Sequence, residues 1–385
     1  MAASVNVQAE GFAGLYPGAV NNRKADVSVS NRTPSGTTSA RPRSISPPRR
    51  SSASGSGRTP RKKRRNREGG SNPREGETMA ADVSFKGVFP ILVTPFDAKE
   101  RVDLESFVRV VRFMAEIGVD GVTILGVLGE SNRMVDSERE QLIIAAVAAA
   151  EGRIPIVVGT SHKGTQATLY LSMMAESLGA SAVMVTPSKE AVPNEERIFE
   201  YFRRVAQEIT VPIVLQDHPG STEVHMSTPL IVRMVNEIPR IACIKQEAPP
   251  TPARIAALIS GMKERRVPVL TGLGALYGMF DLERGSDGYM TGFAFPEVLI
   301  GMVKAVGAGR MEDAWELYRR FLPLIVFEQQ PGIAIRKEIY RLRGLIRSNR
   351  VRHPGAQLVA SAGEQLQSVI ARVLPGMDIT KPLAL

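Results

Sequence analysis

The chain has 385 residues, enough for one large barrel-type domain with extensions, and a formal net charge of +10. All of that excess lies in residues 1–78, which hold 15 Lys and Arg against 5 Asp and Glu; the remainder holds 34 of each and has no net attraction for polyanions. The single cysteine, Cys243, excludes an intrachain disulfide and fits a cytoplasmic protein, and no apolar run approaches the ~18 residues that span a bilayer.

Residues 1–80 are rich in Ser, Arg, Pro, Gly and Asn, with few apolar residues and no period. Such a segment cannot offset its ordering entropy, so a disordered basic tail is expected. Its run Arg61-Lys62-Lys63-Arg64-Arg65-Asn66-Arg67 reads as a solvated charge run. The alternative is a nuclear-localisation or polyanion-binding patch, and a nucleic-acid partner rests on that run alone. No apolar stretch of a secretory signal follows the charges. Met79, directly before the first folded element, is an alternative start.

From Gly87 on, strand-like and helix-like patterns alternate. Apolar strands begin near Val88, Val119, Ile154, Ala182, Val211, Ile241, Val267 and Gly288. An amphipathic segment follows each. The first places Leu104, Phe107, Val108, Val111, Met114 and Ala115 on one face. The second opens on Ser137-Glu138-Arg139-Glu140, which reads as a capping box. The fourth starts at Asn194, a good N-cap behind Pro193. Eight strands alternating with eight helices predict a (β/α)8 TIM barrel over residues 81–308. An open doubly wound sheet is disfavoured, because no Gly-x-Gly-x-x-Gly follows the first strand. Beyond it the pattern is helical only: Met311 to Phe327, Ile333 to Ile346 and Gly355 to Leu374 predict a C-terminal helical extension over 309–385.

In a barrel the reactive groups sit on the loops after the strands. Strand two runs into Gly126-Val127-Leu128-Gly129-Glu130-Ser131, where glycines can turn backbone N–H groups toward an anion; a plain tight turn is the other reading. Strand three ends in Gly159-Thr160-Ser161-His162, strand five in Gln216-Asp217-His218-Pro219-Gly220-Ser221, strand eight in Met290-Thr291-Gly292. No His-x-His or His-Glu-x-x-His spacing occurs, so neither a metal nor another cofactor is expected.

Strand six, Ile241-Ala242-Cys243-Ile244-Lys245, is bounded by a helical pattern from Ser227 to Glu237 and by Gln246-Glu247-Ala248-Pro249-Pro250. Lys245 therefore falls where a buried parallel strand meets its loop. A lysine there ordinarily lays its stem along apolar residues and reaches water. Alternatively, a closed barrel mouth desolvates it until it attacks a carbonyl as a Schiff-base nucleophile. Glu247 shares the side of Lys245 if the strand continues, and either pairs with it or carries protons.

Taken in order and at these distances, several motifs resemble the dihydrodipicolinate synthase and N-acetylneuraminate lyase family of class I aldolases, over about residues 87–350. They are Gly87-Val88-Phe89-Pro90 with Thr94-Pro95-Phe96, Gly126 with Gly129-Glu130, Gly159-Thr160, Val185-Thr186-Pro187, Pro219, Ile244-Lys245 and Arg343-Gly344-Leu345-Ile346. The resemblance implies a (β/α)8 barrel with a three-helix extension, commonly a homotetramer or else a dimer. It implies a Schiff base between Lys245 and pyruvate or another 2-keto acid. The family's strand-two motif usually reads Gly-Thr-Thr-Gly-Glu, but Val127 and Leu128 stand in place of the threonines. Its strand-five tyrosine, the general acid/base, is matched by Gln216, which cannot usefully transfer a proton. Its aldehyde-binding arginine is matched by Ser221, and its tyrosine pair after strand four by Ser188-Lys189. The expectation is a divergent lyase making or breaking a carbon–carbon bond of a 2-keto acid. Its catalytic set is Lys245 with Asp217, His218 or Glu247. Its substrate contacts are Val127, Leu128, Gly129, Glu130, Gln216 and Met290. A 2-keto-acid dehydratase and a non-catalytic keto-acid-binding barrel are the alternatives.

Overall fold

The computed structural model describes residues 83–190 and 194–385. The basic tail and its Arg61–Arg67 run lie outside the described residues, as does Pro193. The strands are β1 (Gly87–Val88), β2 (Val122–Ile124), β3 (Ile156–Gly159), β4 (Ala182–Val185), β5 (Ile213–Asp217), β6 (Ile241–Gln246), β7 (Val269–Thr271) and β8 (Gly288–Tyr289). Between them run α1 (Leu104–Glu116), α2 (Asp136–Ala150), α3 (Thr165–Ser177), α4 (Glu195–Glu208), the single turn α5 (Pro219–Thr222), α6 (Thr228–Glu237), α7 (Thr251–Gly261) and α8 (Gly278–Glu283). After β8 come α9 (Pro296–Gly307), α10 (Met311–Phe327), α11 (Gly332–Leu342) and α12 (Ala360–Val373).

All strand pairs are parallel, in the order β1-β8-β7-β6-β5-β4-β3-β2. The two ends of that order meet: Ile91 bridges Thr123, and Leu92 N–H donates to the Thr123 carbonyl at 2.8 Å. The sheet is thus a closed (β/α)8 barrel, and every predicted strand is present.

Strand alternation divides the apolar residues into two sets. Phe85, Phe89, Ile91, Val157, Met184, Val214, Cys243, Leu270 and Met290 fill the barrel interior. The larger set, including Val158, Val183, Leu215, Ile244 and Val269, packs outward against the helices. Those helices start where their caps dictate. Asp103 accepts from Ser106 N–H at 3.0 Å to begin α1, and Asn194 accepts from the N–H groups of Glu196 and Arg197 at 2.9 and 3.1 Å to begin α4. Caps of this kind contribute about 1 kcal/mol each.

The expected box at Ser137 does not form. The N-cap of α2 is Val135, which has no side-chain acceptor, and Glu138 instead accepts Val135 N–H at 3.2 Å. The same carboxylate is bound by both Nη atoms of Arg352 at 2.6 Å, which ties α2 to the loop between α11 and α12. The extension itself is tied by Arg343, buried and bonded to the Ala294 carbonyl at 3.0 Å, with its guanidinium on Glu297.

Candidate active site

The carboxyl ends of the strands surround a cavity of about 150 Å³. Gln216 and Lys245 are register partners on β5 and β6, and alternation points both inward. The ladder runs one residue past β6, since Glu247 N–H donates to the Asp217 carbonyl at 2.9 Å. Glu247 therefore lies on the same face as Lys245, two residues on. Lys245 Nζ and Glu247 Oε2 are 3.0 Å apart, and both residues are about 95% buried.

Three groups hold that carboxylate, and a fourth lies near it. Besides Lys245, Gln216 Nε2 donates to Oε2 at 2.6 Å, and Leu273 N–H donates to Oε1 at 3.1 Å. His218 Nδ1 lies 3.7 Å from Oε2. Gly272 makes the seat: a Cβ there would come within 2.3 Å of the Glu247 side chain. Burial pushes the Glu247 carboxyl up, but the charge of Lys245, that of His218 where acid protonates it, and the two hydrogen bonds outweigh it and leave it below its ordinary range. Glu247 is thus a carboxylate near neutral pH. Burial, reinforced by the charge of Lys245, pushes His218 down against Glu247 and Asp217. Its ring is then neutral at pH 7, with Nδ1 2.8 Å from Ser221 Oγ.

Val127, Leu128, Gln216, His218, Lys245 and Glu247 line the cavity. Asp217 does not. It occupies the outward phase of β5, fully buried, with Oδ2 accepting from Arg254 of α7 at 2.9 Å. Burial is the main cause that raises its carboxyl above the ordinary value, so its setting is that of a sheet-to-helix tie. Glu130 is also off the cavity. Its carboxylate is enclosed by Lys337 Nζ, by Arg133 Nη1 at 2.8 Å and by Arg352 N–H at 2.9 Å. The Gly129 carbonyl accepts from Thr94 Oγ1 at 2.7 Å, and Met290 packs in the barrel interior below the mouth. His162 is exposed, with Nδ1 accepting Gly164 N–H at 3.1 Å.

Three polar wall residues were not among the expected contacts: Thr291, Gln329 and Arg336. Thr291 stands in the quoted end of strand eight, and its Oγ1 accepts Gly274 N–H at 2.7 Å. Gln329 and Arg336 come from the extension, and no local pattern at the strand ends could have pointed to them. A larger depression of about 470 Å³, bordered by Lys163, Lys189, Tyr201 and His225, contains none of the mouth residues. Among the described residues, no helix is long and apolar enough to cross a membrane, and no His, Cys, Asp and Glu cluster could hold a metal.

Residues 84–373 match the model of the dihydrodipicolinate synthetase family. The chain belongs to that family. It is 35% identical to the L-2-keto-3-deoxyarabonate dehydratase of Azospirillum brasilense, over 77% of this chain and 97% of that protein. It is 31% identical to the 4-hydroxy-tetrahydrodipicolinate synthase of Persephonella marina, over 74% of this chain and 97% of that one. Among solved structures it resembles the dihydrodipicolinate synthase of Rhodopseudomonas palustris, with 35% identity, a TM-score of 0.71, and coverage of 74% and 97%. A prophage protein of the family from E. coli K12, solved in complex with pyruvate, matches with 26% identity, a TM-score of 0.70, and coverage of 75% and 98%. Family membership makes this dihydrodipicolinate synthetase-family barrel a lyase or aldolase type of protein.

Proposed function

We propose that this protein forms a Schiff base between Lys245 and a 2-keto acid, and that it dehydrates a 2-keto-3-deoxy acid. The observation that carries this reading is the Glu247 carboxylate, buried 3.0 Å from Lys245 Nζ and held by Gln216 at 2.6 Å. Lysine condenses with the C2 ketone, whose oxygen leaves as water, and the resulting iminium acidifies the protons on C3. A carboxylate next to Nζ is next to C3 as well. Glu247 takes the C3 proton, and the electron pair enters the iminium to give an enamine. That pair then returns to expel the C4 hydroxyl, which receives the proton from Glu247 and departs as water. Hydrolysis of the conjugated iminium frees Lys245. One carboxyl acts first as base and then as acid on neighbouring carbons, so a tyrosine at position 216 is not required. Gln216 orients that carboxyl.

The 35% identity to a protein named as a 2-keto-3-deoxy acid dehydratase supports the same choice. Carbon–carbon cleavage or condensation is the second reading, favoured by the synthases at 30–31% identity. The two differ in product. Borohydride trapping with pyruvate, read by intact mass and peptide mapping, is expected to place a reduced adduct on Lys245 and none on Lys245→Ala. With a set of 2-keto-3-deoxy acids, dehydration gives an unsaturated 2-keto acid, which becomes a dicarbonyl where a C5 hydroxyl allows tautomerisation, and no pyruvate. Release of pyruvate with an aldehyde establishes the aldolase reading instead. Absence of any adduct, with pyruvate and with larger 2-keto acids, refutes the Schiff base.

A further inference from the structure

Arg336 is the one arginine in the cavity wall, and it comes from α11 rather than from a strand loop. It is about 95% buried. A buried guanidinium normally uses its five N–H donors on protein acceptors. Here Nε lies 3.0 Å from Glu328 Oε2, yet its N–H finds no aligned acceptor. No other hydrogen bond runs from this guanidinium to a protein group among the described residues. Glu328 is itself occupied, accepting Ala294 N–H at 3.2 and 3.3 Å.

Space has been left around this side chain. A Cβ on Gly274 would stand 2.7 Å from one Nη, and a Cβ on Gly332 would stand 2.7 Å from the other. A Cβ on Gly292 would meet Leu128 at 1.8 Å and Arg336 Nε at 3.4 Å. The guanidinium thus sits beside the strand-two loop, where neither Val127 nor Leu128 offers a hydroxyl.

We infer that Arg336, reaching the strand mouth from α11, receives the carboxylate of the 2-keto acid. This rests on the Schiff-base reading above and names the anion receptor of that site. A 2-keto acid carries its carboxylate on the carbon next to the ketone, so the receptor must share the cavity with Lys245. With Nε turned to Glu328, the two Nη groups are left without protein acceptors among the described residues, and such a pair of charged donors in an enclosed wall fits a planar carboxylate. Glu328 then acts as the positioning residue behind it.

The test uses the full chain and two ligands with the same ketone, pyruvate and its neutral amide, pyruvamide. Half-saturating concentrations are read by borohydride trapping. The wild type is expected to prefer pyruvate at least tenfold. Arg336→Gln is expected to raise the pyruvate value by about 10- to 100-fold, the loss of one charge-assisted contact, and to leave the pyruvamide value within about twofold. Guanidinium added to Arg336→Ala is expected to restore pyruvate trapping in part. An unchanged pyruvate-to-pyruvamide ratio in Arg336→Gln overturns the assignment, since a purely structural role weakens both alike. So does a loss confined to longer 2-keto acids, which would place Arg336 at the distal end of the substrate. Arg336→Lys, with its melting temperature measured, guards against a misfolded glutamine variant: it is expected to fold and to keep an intermediate preference, and a folded lysine variant with wild-type preference would overturn the need for the fork. If the wild type gives no adduct, pyruvate binding by thermal shift separates the two claims. A shift lost in Arg336→Gln keeps the receptor and removes the imine, whereas no difference between the two proteins removes the receptor.

Discussion

Among the described residues two buried lysine–glutamate pairs tie into the barrel strands and their loops, and one of the two faces a cavity. Lys337 of α11 is more deeply buried than Lys245, at 0% exposure against 4%. Its Nζ is bonded to Glu130 and to the Arg350 carbonyl at 2.7 Å, and it lies 4.4 Å from the centre of the Phe96 ring. Burial is the main cause that lowers the Lys337 amine, to about 8, against the pull of Glu130. By burial alone, Lys337 would look like the better nucleophile. What separates the pairs is their surroundings. Glu130 is closed on all sides by Lys337, Arg133 and the Arg352 N–H. The Lys245–Glu247 pair borders empty space large enough for a small keto acid. Depth makes a buried charge expensive; access to a ligand makes it reactive.

The largest effect that sharpens this contrast is expected at Glu247. Glu247→Gln should lower turnover by about 10²- to 10⁴-fold, the usual range for a lost acid/base group, while pyruvate trapping on Lys245 persists. Loss of trapping together with turnover would mean that Glu247 serves imine formation only. The mirror-image change is Lys337→Met. It leaves Glu130 with part of its partners in a closed site, so a stability loss of about 3–5 kcal/mol is expected in denaturant unfolding. Turnover per folded molecule should be unchanged. A selective loss of kcat at full stability would break the comparison.

A smaller effect separates the two faces of β5. Asp217→Asn should cost about 1–3 kcal/mol through its buried contact with Arg254 and leave kcat within about twofold, because the side chain lies on the helix side. His218→Ala should do the reverse, a modest loss of kcat with little change in melting temperature. The smallest concerns pH. Burial holds the Glu328 carboxyl at about 7, above its ordinary 4.5, against Arg336. A carboxyl raised by folding favours the native state when protonated, so stability falls as pH rises from about 4.5 through about 7. Glu328→Gln should flatten that part of the stability profile, and an unchanged slope would show that another group sets it.

Much of the architecture could be read from period and punctuation. The eight strands start within about three residues of their expected positions, because short apolar runs bounded by turns have few other solutions. Asn194 capped its helix as expected, whereas the Ser137 box failed because the helix begins at Asp136 and takes Ser137 into its first turn. The site divides in the same way. Lys245, Gln216, His218 and Glu247 follow from strand ends and alternation. Asp217 was placed beside them because sequence adjacency was read as spatial adjacency, although successive strand residues face opposite ways. Glu130 and Gly129 sat in a recognisable motif but are used to fix the loop. Arg336 and Gln329 were out of reach, since nothing in a helix pattern says which strand mouth it will cover.

The order of synthesis gives this layout a consequence in time. The first strand of the barrel, β1, pairs with the last, β8, so the ring cannot close until residues near Gly288 and Tyr289 are free of the ribosome. Arg336 follows Lys245 by about 90 residues, which at ~5–20 residues per second is a delay of about 5 to 18 seconds. A nascent chain therefore carries its lysine before it has a closed mouth around it. The amine is an ordinary surface group until the segments that enclose the strand mouth have followed it out, and Arg336 joins the wall of its cavity later still.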